Sequence, residues 1–192
     1  MLHRKSLCRA LLLSIMILMS LAITIGYADS TRRVAIIPPI DYAKYGEPEL
    51  NKLVLTELKE NFINQQYNVA LDTQVEKAVN EATQGKALKS LPKKELLKEI
   101  SYNLSSDLVV AVEFTRLSSI IIPTMYSSNE MRQVSITAAI YHAKTDTYKT
   151  FNYTRNETSE SDGYRGIKRL TMECIDQLLR KTNKYLTSLS LH

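Results

Sequence analysis

Hydrophobic positions change period several times along this chain, and the changes mark its elements. Arg33-Val34-Ala35-Ile36-Ile37 is a short apolar run closed by Pro38-Pro39, which predicts a buried strand. Residues 40–48 hold Asp41, Tyr42, Tyr45 and Gly46 and predict a loop. From Glu49 the spacing turns helical: Leu50, Leu53, Val54, Leu58 and Phe62 fall on one face, ending at Gln65-Gln66. Tyr67-Asn68-Val69-Ala70-Leu71 predicts a second strand. Thr73 and Glu76 have capping-box spacing, with Val75, Ala78, Val79 and Ala82 as the stripe behind them and Gly85 as the stop. Residues 86–91 predict a linker. Pro92 suits the first turn of a third helix, where a missing N–H costs nothing, and Leu97, Ile100 and Leu104 form that helix's inner side.

The strand signals then strengthen. Asp107 precedes Leu108-Val109-Val110-Ala111-Val112, which continues through Phe114 towards Leu117. Val134, Ile136, Ala138 and Ile140 alternate with Ser135, Thr137 and Tyr141, the pattern of a half-buried strand. Residues 144–147 predict a turn, and residues 148–158 return as another strand. Ile167, Thr171, Cys174, Leu178, Thr182 and Tyr185 trace the inner stripe of a long last helix, with Leu170, Ile175 and Leu179 beside it. The order β-α-β-α-α-β-β-β-α predicts an α/β (α+β) fold: one domain, with a mixed sheet of about five strands flanked by helices.

Composition agrees. With 44% hydrophobic and 23% charged residues, and only 5 Gly and 5 Pro in 192, neither a disordered nor a collagen-like chain is possible. Residues 1–28 stand apart. Arg4, Lys5 and Arg9 precede an apolar run over residues 10–25, and Gly26-Tyr27-Ala28 places small residues at −3 and −1 before Asp29. That predicts a cleaved signal peptide, an extracytoplasmic location, and a globular domain over residues 29–192. The rival reading is an uncleaved anchor; the run falls short of a comfortable span of about 20 residues, so no stable span is expected after cleavage. Cys8 lies before the apolar run, so it cannot be a lipid acceptor.

Removing the leader changes the charge argument. Of 25 basic and 20 acidic residues, three basic and no acidic ones lie in residues 1–28, so the net charge falls from +5 to +2. No sustained Lys/Arg run remains, and no nucleic-acid partner is expected.

The order of elements resembles a known family. An apolar strand ending in proline (Val34-Ala35-Ile36-Ile37-Pro38) leads to a helix ending in Leu58 and Phe62, then to Val69-Ala70-Leu71 and a helix over residues 75–82. A further helix exits through Leu104-Ser105-Ser106-Asp107-Leu108-Val109-Val110 into a strand. This is similar, over about residues 32–187, to the envelope α/β family holding the CsgG curli-secretion subunit, the LpoB-type activators of penicillin-binding proteins and the amino-terminal domain of TolB. In that family a stretch like Ser106-Asp107-Leu108-Val109-Val110 carries a small residue and Asp before the strand. The resemblance implies a non-enzymatic module that contacts other envelope components. Relatives of the CsgG and LpoB kind are lipid-anchored, which this chain's cysteine pattern does not support. A CsgG-like pore also needs membrane-crossing hairpins, and one candidate region exists here.

The chemistry-bearing residues are sparse. After the leader, His142 and the terminal His192 are the histidines, Cys174 is the cysteine, and no zinc spacing, phosphate-cradling glycine pattern or nucleophile elbow occurs. No cofactor, metal or catalytic residue is assigned, and an enzyme is not expected; Asp41, Glu113 and His142 meeting in one cleft would reopen that case. Cys174 lies on an apolar stripe and predicts a packed, inert thiol. Two segments predict contact with a partner. Asp41, Tyr42 and Tyr45 follow the first strand, where α/β sheets open towards ligands. Ile120, Ile121, Ile122, Met125 and Tyr126 form an apolar cluster in a strand connection, a place normally polar. The expected function is an exported envelope adapter that binds another envelope protein or itself; the alternative is a subunit of an oligomeric CsgG-like secretion or assembly complex.

Overall fold

The computed structural model describes residues 32–41, 43, 48–123, 125, 128–160 and 164–189; the predicted leader lies outside them. In chain order its elements are β1 (Arg33–Ile36), β2 (Ile40–Asp41), α1 (Pro48–Asn64), β3 (Asn68–Val69), α2 (Asp72–Ala82), α3 (Lys94–Leu104), β4 (Leu108–Pro123), β5 (Ser128–His142), β6 (Thr147–Glu160) and α4 (Tyr164–Leu189). The strands form one mixed sheet in the order β3-β1-β4-β5-β6, with β2 pairing β4 beyond the end of β1. β1 runs parallel to β3 and β4, whereas β4, β5 and β6 form an antiparallel meander. The predicted α+β class is the observed one.

The parallel half requires crossovers, and these go to opposite faces. α1 connects β1 to β3 and buries Leu50, Val54, Leu58 and Phe62 against Val34, Ile36, Leu108, Val110, Val112 and Phe114, a cluster completed by α4. α2 and α3 connect β3 to β4 on the other face, where Val75, Ala78, Leu97, Ile100 and Leu104 meet Ala35, Ile37, Val109 and Ala111. Covering both faces is why the start of β4 reads as an unbroken apolar run. It also buries Ala139 and Tyr141 of β5, which an alternating pattern alone places outside.

Several local expectations are corrected. Residues 40–48 are not all loop: Pro38 and Pro39 have no N–H to donate, so the ladder breaks there and resumes at Ile40–Asp41. The strand expected over residues 67–71 is shorter: Asn68–Val69 pair with β1, Ala70 adds its N–H to the Val34 carbonyl at 2.9 Å, and α2 starts at Asp72. The Thr73–Glu76 capping box does not form: Leu71 is the N-cap with no side-chain bond, and Asp72 in the first turn pairs with Lys59 at 2.7 Å. Pro92 precedes the α3 N-cap Lys93 rather than sitting in the first turn, and its carbonyl accepts the Tyr148 hydroxyl at 3.2 Å. Gly85 does close α2 as expected, with φ +76° and its N–H on the Asn80 carbonyl at 2.8 Å.

The Ser-Asp stretch before β4 acquires a physical role. Ser105 turns the chain out of α3 in the left-handed region, and the buried Ser101 hydroxyl donates to the Ser106 carbonyl at 2.6 Å. Asp107 then receives the Arg33 N–H on its carboxylate at 2.7 Å and donates its own N–H to the Arg33 carbonyl at 2.9 Å. These bonds set the start of β1 beside the start of β4.

Candidate functional site

β4 and β5 continue well past the helices as a hairpin. Residues 120–123, expected in a connection, are strand: Ile120 opposes Met131, Ile121 opposes Glu130, Ile122 opposes Asn129 and Pro123 opposes Ser128. β-branched residues favour that extended backbone. The tip remains open to solvent, with Ile120 53%, Ile121 61%, Ile122 42%, Met131 41% and Met125 93% exposed. The predicted Tyr126 lies outside the described residues, as do Tyr42 and Tyr45. Alternation places Ile120, Ile122 and Met131 on one face, and Ile121 on the other.

The face that Ile121 shares rests on charge instead of hydrocarbon. Arg132 is 0% exposed and Glu130 3%. The Arg132 guanidinium lies 2.6 Å from the Glu130 carboxylate, donates to the Ser159 hydroxyl at 2.9 Å and stands 3.5 Å from Glu157. Ser119 donates to Glu130 from the neighbouring strand. Arg169 at the start of α4 joins Glu157 to Glu173 at 2.8 Å, and Arg155 reaches Glu173 at 2.6 Å. The Arg169 guanidinium holds the Glu157 carboxyl below its ordinary value. Among the described residues three cations and three anions gather here, so the hairpin is mounted on a polar, ion-paired block. Sequence reading missed this block because Glu and Arg are ordinarily solvent residues. The available signal was parity: positions 130 and 132 continue the inner face of Val134 and Ile136.

Asp41 lines a cleft of about 840 Å³ at the carboxyl end of β1. Pro38, Pro39, Val79 and Leu88 line it together with Glu76 and Lys86. The cleft lies just beyond the carboxyl end of β1, the end at which ligands enter open α/β sheets.

The titratable groups that would argue for catalysis do not converge. Glu113 and Ile40 are register partners near Asp41, whereas His142 pairs with Leu108 at the other end of that stretch of β4, about 16 Å away at strand rise. His142 is half-buried, with Nδ1 2.8 Å from the Thr145 hydroxyl, and burial lowers its pKa. Among the described residues no three His, Cys, Asp or Glu side chains gather to hold a metal ion. Cys174 is fully buried in the α4 stripe, and burial pushes its thiol up to about 11. We therefore expect Cys174 to resist alkylation at pH 8 in the folded protein and to react within minutes in denaturant, as followed by peptide mass analysis.

No protein-family model and no curated protein matches the sequence. Solved structures share its fold. Lipoprotein GNA1162 from Neisseria meningitidis aligns over 78% of this chain and 99% of its own at 12% identity, with a TM-score of 0.50. The hypothetical protein CT253 from Chlamydia trachomatis aligns over 82% and 99% at 11% identity, also at 0.50. The LpoB C-terminal domain from Salmonella enterica aligns over 68% and 84% at 8% identity, with a TM-score of 0.39. At such identities the likeness is one of architecture. Among the described residues no helix is long and apolar enough to cross a membrane.

Proposed function

We propose that this chain is an exported, non-enzymatic envelope protein that docks another envelope protein through the hairpin tip formed by Ile120, Ile121, Ile122 and Met125, with Tyr126 completing it. One observation carries this reading: large apolar side chains stand exposed together at the end of a hairpin whose base is tied down by buried ion pairs. Exposed apolar clusters of this kind mark contact surfaces. The leader over residues 1–28 delivers the domain outside the cytoplasm, and the fold it shares with a lipoprotein supports an envelope setting. The Asp41 cleft is the second contact region, and Tyr42 and Tyr45 follow Asp41 in the sequence.

The test is the Ile121→Ser/Ile122→Ser variant. Its thermal midpoint should stay within about 2 °C of the parent, since both side chains already face water. A photo-crosslinker at position 125 should capture one discrete partner in expressing cells, and the same probe in the double variant should lose it. A fall of more than about 2 kcal/mol in stability would instead make these residues core, and the reading would fail.

A further inference from the structure

The two edges of the sheet are treated differently. On one side the outer strands are two residues long, and Pro38-Pro39 interrupts the ladder, which blunts that edge. The other edge is β6, fourteen residues without Pro or Gly, paired with β5 at every position from Thr147 to Glu160. Its far side meets no strand among the described residues. A long, regular edge left open is a template for another strand, and natural folds ordinarily break it up. Among the described residues β6 has no bulge and no covering strand; its edge carries the charges of Lys149, Arg155 and Glu157, and Lys181 reaches the Asn152 carbonyl at 3.2 Å. A carbonyl oxygen has two lone pairs, so that bond leaves room for a second donor.

We propose that β6 is a self-association edge, and that its occupant is β6 of a second copy of this chain, antiparallel about a two-fold axis at Tyr153. Of the registers centred on Asn152, Tyr153 and Thr154, the strand's own sequence favours the one on Tyr153. Centring the axis on Tyr153 sets Lys149 opposite Glu157 twice and Phe151 opposite Arg155 twice, while Thr150–Asn156 and Asn152–Thr154 are uncharged polar pairs on the other face. Centring it on Asn152 instead sets Lys149 against Arg155 twice, a like-charge clash. Centring it on Thr154 loses the Lys–Glu pairs and sets Phe151 against Glu157. α4 packs over β5 and β6 through Phe151, Tyr153 and Tyr185, so adding the second β6 brings two copies of α4 side by side. With strands about 4.8 Å apart, the helix axes come to roughly 10 Å, a normal helix-packing distance. The result is one continuous sheet across both copies, with the two tips at opposite ends of the joined meanders.

The experiment uses the full chain as expressed, with Cys8→Ser to remove the leader thiol. Tyr153→Cys faces itself across the axis, so mild oxidation should give a covalent dimer, while Asn152→Cys and Thr154→Cys should give several-fold less. Lys149→Glu turns two attractive pairs repulsive and should weaken the dimer about tenfold in sedimentation, with the thermal midpoint unchanged at concentrations where the parent is monomeric. That second variant keeps the test decisive if Tyr153→Cys folds poorly. A parent chain that sediments as a monomer at on the order of 100 µM would overturn the proposal. So would preferred crosslinking at 152 or 154, or a dimer indifferent to Lys149→Glu. The Ile121→Ser/Ile122→Ser variant should dimerise like the parent, which separates this edge from the tip.

Discussion

Replacing Arg132 with Met should cost the fold about 3–5 kcal/mol, because it leaves the Glu130 carboxylate buried without its cation. The guanidinium satisfies Glu130 and Ser159 and approaches Glu157 from a position with no solvent contact. Glu157 keeps Arg169 after the change, whereas Glu130 keeps the Ser119 hydroxyl and loses the Arg132 guanidinium. Urea unfolding measures the loss. The companion variant Glu130→Gln/Arg132→Met removes both charges and should recover most of it, since an apolar or neutral substitute for a buried pair is often near neutral. The same block predicts acid sensitivity. Glu157 titrates lower in the folded protein than its ordinary 4.5, first because of its bond to Arg169. Its contribution is therefore complete above the ordinary value and is lost as pH falls through the depressed one. Arg169→Gln should flatten that part of the acid-unfolding curve. Equal stability of the parent and Arg132→Met would mean the block holds nothing in place.

Phe62→Ala should be comparably severe. Phe62 ends the buried stripe of α1, is fully buried, and meets the Tyr67 ring edge-on at 5.5 Å. Truncating such a ring costs about 3–5 kcal/mol through lost contact and the cavity left behind. At roughly 2–4 °C per kcal/mol for a domain of this size, the midpoint should fall by about 6–20 °C. Ile63, the next residue, is 56% exposed, and Ile63→Ala should change stability by less than about 0.5 kcal/mol. Two adjacent large apolar side chains thus give opposite results, and calorimetry on the pair checks the orientation of α1. Similar losses from both would show that its inner face is misassigned.

The helices were legible because burial there follows a single period. Leu50, Val54, Leu58 and Phe62, and Ile167, Cys174 and Leu178, are all buried where the spacing puts them. β5 was half legible. Its Val134–Ile140 alternation marks one face, yet Ala139 and Tyr141 are buried too, since crossover helices cover the second face only near the start of β4. Starts of helices were read less well. Thr73 and Pro92 are good cap-region residues, but Asp72 finds a stronger partner in Lys59, and Lys93 takes the cap ahead of α3. At the tip, the apolar residues were found by composition, whereas their strand pairing and the charged floor beneath them were not. Burial of Arg132 depends on five side chains that arrive from β4, β5, β6 and α4, and no local window contains them.

One residue governs where the hairpin aims. Phe114 opposes Ile136 and Arg116 opposes Ser135, so Thr115 is an extra residue on β4, its hydroxyl on the Ser135 carbonyl at 3.1 Å. Such an insertion bends the strand and sharpens its coil without changing what any neighbour faces. Excising Thr115 would keep every cross-strand pair and every tip side chain, and swing the whole arm to a new heading. The direction in which the exposed apolar tip points is thus written in chain length, and a single codon gained or lost re-points it.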